Sequence, residues 1–353
     1  MRKMLLYAGL LLSCASCIKE KPIKRAYGGF TPEQLADGWT ITSPEAQNMD
    51  RTILDSAYRL VFQSDRYLMA KSLLVIRNGQ LVAEAYPKDA NDRDAVNNIQ
   101  SCTKSFTSVL TGIALKEGLL TSTDQKISEI YAEAFSPFPE KKNITIRHAL
   151  TMQTGLQFDN DKNTLHLYQA ENSIRFILSR EKQSEPGTSM NYNDGSPHLL
   201  SAAIQKRAGL SFEQFAQQHL FSHLGIKEWK WEKSKDGINF GAFGLHLKPR
   251  DLAKFGKLLL QKGQWENRSL IDSNWIHLST GIHTYDATGR PYGFYFWIYP
   301  DLGGYAALGH GGQFVFVVPQ KQLVVVYTAW PYTSESLFDD RSELMKRMVR
   351  ACN

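Results

Sequence analysis

A serine hydroxyl is a poor nucleophile until a neighbouring group removes its proton. The stretch Ile99-Gln100-Ser101-Cys102-Thr103-Lys104-Ser105-Phe106 offers such a neighbour, a lysine three residues after a serine. On a helix that spacing puts both side chains on one face, a turn apart. A lysine takes up a proton from serine only if burial lowers its pKa from about 10.4. Two other S-x-x-K matches occur, Ser16/Lys19 in a leader-like segment and Ser179/Lys182 in a polar stretch running toward Pro186. Ser101 stands apart because residues 109–115, with Gly112 and Ala114, continue it as an apolar, buried helix.

Two downstream stretches set polar groups among glycines, which let backbone amides approach a ligand closely. The first is Glu185-Pro-Gly-Thr-Ser-Met-Asn-Tyr192-Asn193-Asp194-Gly195, and the second is Leu308-Gly309-His310-Gly311-Gly312-Gln313-Phe314. A tyrosine beside a lysine cation is favoured as phenolate, so lysine and tyrosine form a coupled unit whose base the sequence does not name. Asp194 has two readings: it caps the helix beginning near Pro197, or it binds Lys104. In the second case it raises the amine's pKa and favours Tyr192 as base. The remaining histidines, including His148, His166 and His246, form no metal-spaced cluster, and no metal or organic cofactor is implied.

The elements that must position these groups follow from periodicity. Residues 49–62 repeat apolar positions at helical spacing. Residues 72–77 and 80–86 flank Asn78-Gly79, which suits a type I′ turn and predicts a hairpin. From about 121 to 287 the pattern is mostly helical, clearest at 146–152, 171–178, 197–208, 211–221 and 249–261. Ser211 with Gln214 forms a capping box, and Pro249 suits a first helical turn. Residues 292–299, 305–309, 313–318 and 322–328 then read as strands, and 338–349 as an amphipathic helix. Strands at both ends with helices between predict an α+β fold: one sheet built from the two chain ends, with a helical region inserted.

Composition narrows the function. Of 353 residues, 42% are hydrophobic and 22% charged, ordinary for a globular chain. The net charge of +6 comes without a basic block or aromatic-basic interleaving, which argues against a nucleic-acid partner. Arg2 and Lys3 precede an apolar run, 4–12, too short to span a bilayer, so residues 1–17 read as a secretory signal. Small residues before a cysteine resemble a bacterial lipoprotein processing site, with Cys14 or Cys17 as the lipidated residue. Each acyl chain contributes roughly 0.8 kcal/mol per buried CH₂ to membrane anchoring. Residues 18–45, charged and punctuated by glycine and proline, then suit a tether. Cys102 is expected to pack inward and Cys352 lies beside the C-terminus; four cysteines do not make a disulfide scaffold.

With S-x-x-K, the tyrosine stretch and His310-Gly311-Gly312 in this order, the chain resembles the serine β-lactamase and penicillin-binding-protein superfamily. Within it, the likeness is to class C-related serine hydrolases: esterases, D-aminopeptidases and nylon-oligomer hydrolases. Arg147-His-Ala-Leu-Thr-Met-Gln-Thr-Gly-Leu156, Pro186-Gly-Thr, Leu247-Lys-Pro-Arg-Asp-Leu252 and Tyr292-Gly-Phe-Tyr-Phe-Trp297 share it. The resemblance implies a hydrolase domain over 46–353, with sheet parts at 46–120 and 288–353 and a helical part at 121–287. It implies Ser101 as the acylated nucleophile, Lys104 as its proton partner and Tyr192 as the second acid/base group. The backbone N–H groups of Ser101 and Gln313 would form an oxyanion hole, a device typically worth about 10²–10³ in turnover. Of Tyr295 and Trp297, one is expected in the core and the other, Trp297, in the cleft.

Two departures matter. Asp194 stands where the pattern Y-x-N has asparagine, and His310 stands where K-T-G has lysine. A largely neutral imidazole holds a substrate carboxylate less well near pH 7. The expected function is an exported, lipid-anchored hydrolase of small-molecule esters, amides or peptides at the bacterial cell envelope. A D,D-peptidase or weak β-lactamase and a non-catalytic envelope-binding lipoprotein are the alternatives. Loops at 159–169 and 283–290 are expected to shape the cleft.

Overall fold

Asn78 and Gly79 both adopt positive φ, 50° and 75°, and fold the strands Ala70–Arg77 (β1) and Gln80–Ala85 (β2) into the expected hairpin. The computed structural model describes residues 24–332 and 341–353. The leader, the lipidation candidates Cys14 and Cys17 and the Ser16/Lys19 pair lie outside the described residues. Six later strands join the hairpin: Thr284–Tyr285 (β3), Pro291–Tyr292 (β4), Trp297–Tyr299 (β5), Gly304–Leu308 (β6), Phe314–Val318 (β7) and Leu323–Ala329 (β8). All pair antiparallel, in the order β2-β1-β8-β7-β6-β5-β4-β3. Leu74 faces Val326 across the β1–β8 seam, so the two chain ends do build one sheet.

The helices that bear on the site are Arg51–Gln63 (α1), Cys102–Lys116 (α2), Asn160–Gln169 (α3), Gly195–Ala208 (α4), Pro249–Leu260 (α5) and Arg341–Arg350 (α6). Strand alternation sorts the core. Leu73, Val75, Phe316 and Val325 share one core with Leu54 and Tyr58 of α1 and Leu344 and Met348 of α6. Leu74, Ile76, Val315 and Val324 share the other with Phe106 of α2 and Phe255 of α5. The Phe106 and Phe255 rings stack at 3.7 Å. A glycine seats α5 on the sheet, since a Cβ at Gly256 would stand 2.5 Å from Val324 Cγ1.

Three stretches differ from expectation. From Lys24 on, the presumed tether packs onto the sheet: Phe30 and Trp39 are buried, and Arg250 pairs with both Asp37 and Glu84. Two buried aromatics and a shared arginine outweigh the segment's charged composition. The expected strand 292–299 is two strands, because Tyr295 takes φ 65° and Gly293 N–H closes a turn onto Phe296 O at 2.8 Å. Residues 160–169, expected as a loop, form α3, with the Asp159 side chain accepting from Asp161 N–H as an N-cap. The Ser211/Gln214 capping box and the helix beginning at Pro249 form as expected. Cys102 and Cys352 are both free and buried.

Candidate active site

Several local devices place Ser101. Asn97–Asn98 pairs with Leu245–Leu247, fixing the approach, and Gln100 then turns at φ 52°, its N–H held by Asn98 Oδ1 at 2.8 Å. A non-glycine residue in the left-handed region is uncommon and must be held there by its surroundings. Ser101 follows as the residue capping α2, yet its side chain makes no capping bond. Its Oγ instead accepts from Lys104 Nζ at 2.9 Å.

Lys104 is 1% exposed, and a charge so buried must be fully partnered. Its three N–H donors go to Ser101 Oγ, to Asp194 Oδ1 at 2.7 Å and to Ala242 O at 3.1 Å. Burial alone pushes this amine down, but the negative charge of Asp194, with Tyr192 beside it, outweighs burial and holds it above its ordinary value. Lys104 is therefore an ammonium near neutral pH, donating to Ser101. Its nitrogen stands 4.8 Å from the centre of the Tyr192 ring.

Asp194 is joined to Lys104 and does not cap α4 with its side chain. Asn193 does that work, its Oδ1 accepting from Ser196 N–H at 2.7 Å. Tyr192 packs edge-on to Tyr292 at 6.0 Å and near Trp297 at 5.6 Å. Tyr295 turns into the core, its hydroxyl donating to Ala149 O at 2.9 Å, while Trp297 lines the cleft. The left-handed Tyr295 is what sends these two neighbours different ways. Ser179 and Lys182 do not meet: one donates to Phe176 O and the other pairs with Glu185.

The cleft holds about 510 Å³ and brings Ser101, Tyr192, Asp194, Trp297 and His310 together. Gly311 and Gly312 adopt φ 78° and 94°, and a Cβ at Gly311 would meet Trp330 O at 2.6 Å. Only glycine fits that turn. Gln313 is fully buried and clamps the loop to β8: its Nε2 donates to Ala329 O at 2.8 Å, and its Oε1 accepts from Ala329 N–H at 3.0 Å. Among the described residues, the backbone N–H groups of Ser101 and Gln313 have no acceptor.

Several cleft groups had no signal in the sequence motifs. Ala242 contributes only a carbonyl. Asn160 and Thr164 line the cleft from α3, and Arg341 reaches it from α6. Arg290 lies over the Trp297 ring, its Cζ 4.4 Å from the centroid, and pairs with Asp286. Two of these regions, 159–169 and 283–290, were expected to shape the cleft, though not by these side chains.

The antiparallel sheet, the S-x-x-K helix and the glycine-flanked loop together define a β-lactamase/transpeptidase-like fold. The chain belongs to the Beta-lactamase family, whose model matches residues 68–344. A putative 6-aminohexanoate-dimer hydrolase from Bacillus anthracis superposes with TM-score 0.73 at 18% identity, over 95% of this chain and 92% of that one. A putative beta-lactamase from Bacteroides dorei gives TM-score 0.71 at 17% identity over 86% and 99%. A family VIII carboxylesterase gives 0.68 at 16% over 85% and 97%. An uncharacterised protein of Alkalihalophilus pseudofirmus is 25% identical over 320 residues, covering 78% of this chain and 88% of its own.

Proposed function

We propose that this protein is a serine hydrolase that cleaves an ester or amide through an acyl-enzyme on Ser101. The carrying observation is the Lys104 ammonium, 2.9 Å from Ser101 Oγ and fixed there by Asp194. Because Lys104 already carries its proton, Tyr192 is assigned as the base. As Ser101 Oγ attacks the carbonyl carbon, its proton passes to Tyr192 acting as phenolate, and the nearby ammonium favours the developing alkoxide. The carbonyl oxygen, now an oxyanion, is assigned to the N–H groups of Ser101 and Gln313. Tyr192 returns the proton to the departing alcohol or amine as the C–O or C–N bond breaks. Water then attacks the acyl carbon, loses a proton to Tyr192, and Ser101 leaves with that proton restored.

Neutral esters and amides fit the substitution of His310 for a fixed cation. A second reading, a carboxylate-bearing β-lactam or cell-wall peptide, is supported by Arg341, which lines the cleft near His310. Export and a lipid anchor at Cys14 or Cys17 are part of the proposal, supported by the basic and apolar run at residues 2–12. One experiment addresses the set: intact-mass measurement of the protein from its native membrane, exposed to a fluorophosphonate, ester and amide donors and penicillin. Adducts absent from Ser101→Ala are expected, with a mass gain from the lipid at the N-terminus. Labelling and turnover that survive Ser101→Ala would overturn the assignment.

A further inference from the structure

Asp194 is held from two sides. Its Oδ1 accepts from Lys104, while its Oδ2 accepts from Thr164 Oγ1 at 2.7 Å and its backbone N–H donates to Asn160 Oδ1 at 2.9 Å. Asn160 and Thr164 are one turn apart on α3, and both line the cleft. We propose that Thr164 and Asn160 are positioning residues that latch the mouth helix α3 to Asp194, and so fix the seat of the Lys104 ammonium beside Ser101. This deepens the hydrolase reading and rests on it.

The chemistry of position 194 is what calls for the latch. A carboxylate has two oxygens, and Lys104 takes only one. At 7% exposure the other has little water to turn to, and an unmatched buried charge is costly. A hydroxyl donor satisfies it, and from α3 it also prevents the carboxylate from rotating off the amine. An asparagine there, with Oδ1 turned to Lys104, would donate its amide N–H to the same hydroxyl but carry no charge, so Thr164 would no longer hold a counter-ion. Of the helix's ten residues only Leu167 is buried, with Tyr168 stacked on Phe240 at its far end, so the end near the cleft is held by these polar bonds. Other charged or titratable groups near Asp194 are Tyr192, His198 one turn along α4, and Asp161 on α3. Asp286, Arg290, His310 and Arg341 line the rest of the cleft. A substrate that presses on α3 is therefore one hydrogen bond from the carboxylate that holds the amine.

Thr164→Val keeps the shape and removes the hydroxyl; Thr164→Ser keeps the hydroxyl. With a p-nitrophenyl ester, Thr164→Val should lower kcat about tenfold and leave KM within about twofold. Thr164→Ser should restore kcat. In an Asp194→Asn background, Thr164→Val should change kcat much less. The same cycle read in thermal midpoints needs no turnover: the loss from Thr164→Val should shrink when residue 194 is asparagine. Equal effects in both backgrounds, a change in KM alone, or failure of serine to rescue would overturn the latch. Ester turnover that survives Ser101→Ala would sink the hydrolase reading instead, and the thermal cycle would still decide the latch.

Discussion

Asp194→Asn probes the charge on which the site depends. Lys104 is 1% exposed and its partner 7%, at a nitrogen–oxygen separation of 2.7 Å. Removing one partner of so buried a pair typically costs about 3–5 kcal/mol if the other stays charged. Asparagine keeps an acceptor for Lys104, so about 3 kcal/mol at neutral pH is the expected loss. The sign with pH follows from the amine. In the parent, Lys104 is held above its ordinary value, so its contribution is full at neutral pH and is lost only as pH rises through that raised value. In Asp194→Asn, burial is opposed by Tyr192 alone, so the amine should drop below its unfolded value. The variant should therefore gain stability relative to the parent as pH rises from neutral toward about 10. Denaturant unfolding of both proteins at several pH values between 6 and 10 reads this directly. The same substitution frees Lys104 to act as base, so the rate profile should change shape. If the variant matches the parent in stability at every pH, the carboxylate does not hold the ammonium and the assignment of Tyr192 as base loses its footing.

Two further outcomes are expected. Tyr192→Phe retains the ring contacts with Tyr292 and Trp297, so its thermal midpoint should stay near the parent's while kcat falls by about 10²–10⁴ in an ester assay. His198 is wholly buried, and burial pushes its imidazole down to about 4 from 6.5. The unfolded chain binds this proton first, so stability should fall as pH drops from about 6.5 toward 4, by up to roughly 3 kcal/mol. His198→Gln should flatten that slope in acid unfolding, and an unchanged slope would remove His198 from the account.

What the sequence discloses here depends on how local the cause is. Ser101 and Lys104 are three residues apart on one helix, so their meeting is a matter of pitch. The hairpin at Asn78-Gly79 is equally local. Asp194 lies 90 residues from Lys104, and its two readings, cap or counter-ion, were separated only when Asn193 proved to hold the cap. Ala242 acts through a carbonyl 138 residues away, and a backbone group leaves no trace in residue type. Helix α3 leaves no apolar period in the sequence, because only one of its residues is buried. Nor does tyrosine carry any signal for the positive φ that breaks the strand at Tyr295.

The seam between β1 and β8 has a consequence for synthesis. Ser72 and Thr328 touch at 2.6 Å across 256 residues of chain. At about 5–20 residues per second, the first hairpin waits roughly 10–50 s on the ribosome before its neighbour strand exists. During that wait Leu73 to Ile76 present a naked apolar edge, an invitation to pair with another nascent chain. A message cut short before Ala329 therefore leaves β1 without its full partner strand, and Ser101 and the glycine turn first share a molecule only once residue 312 has been made.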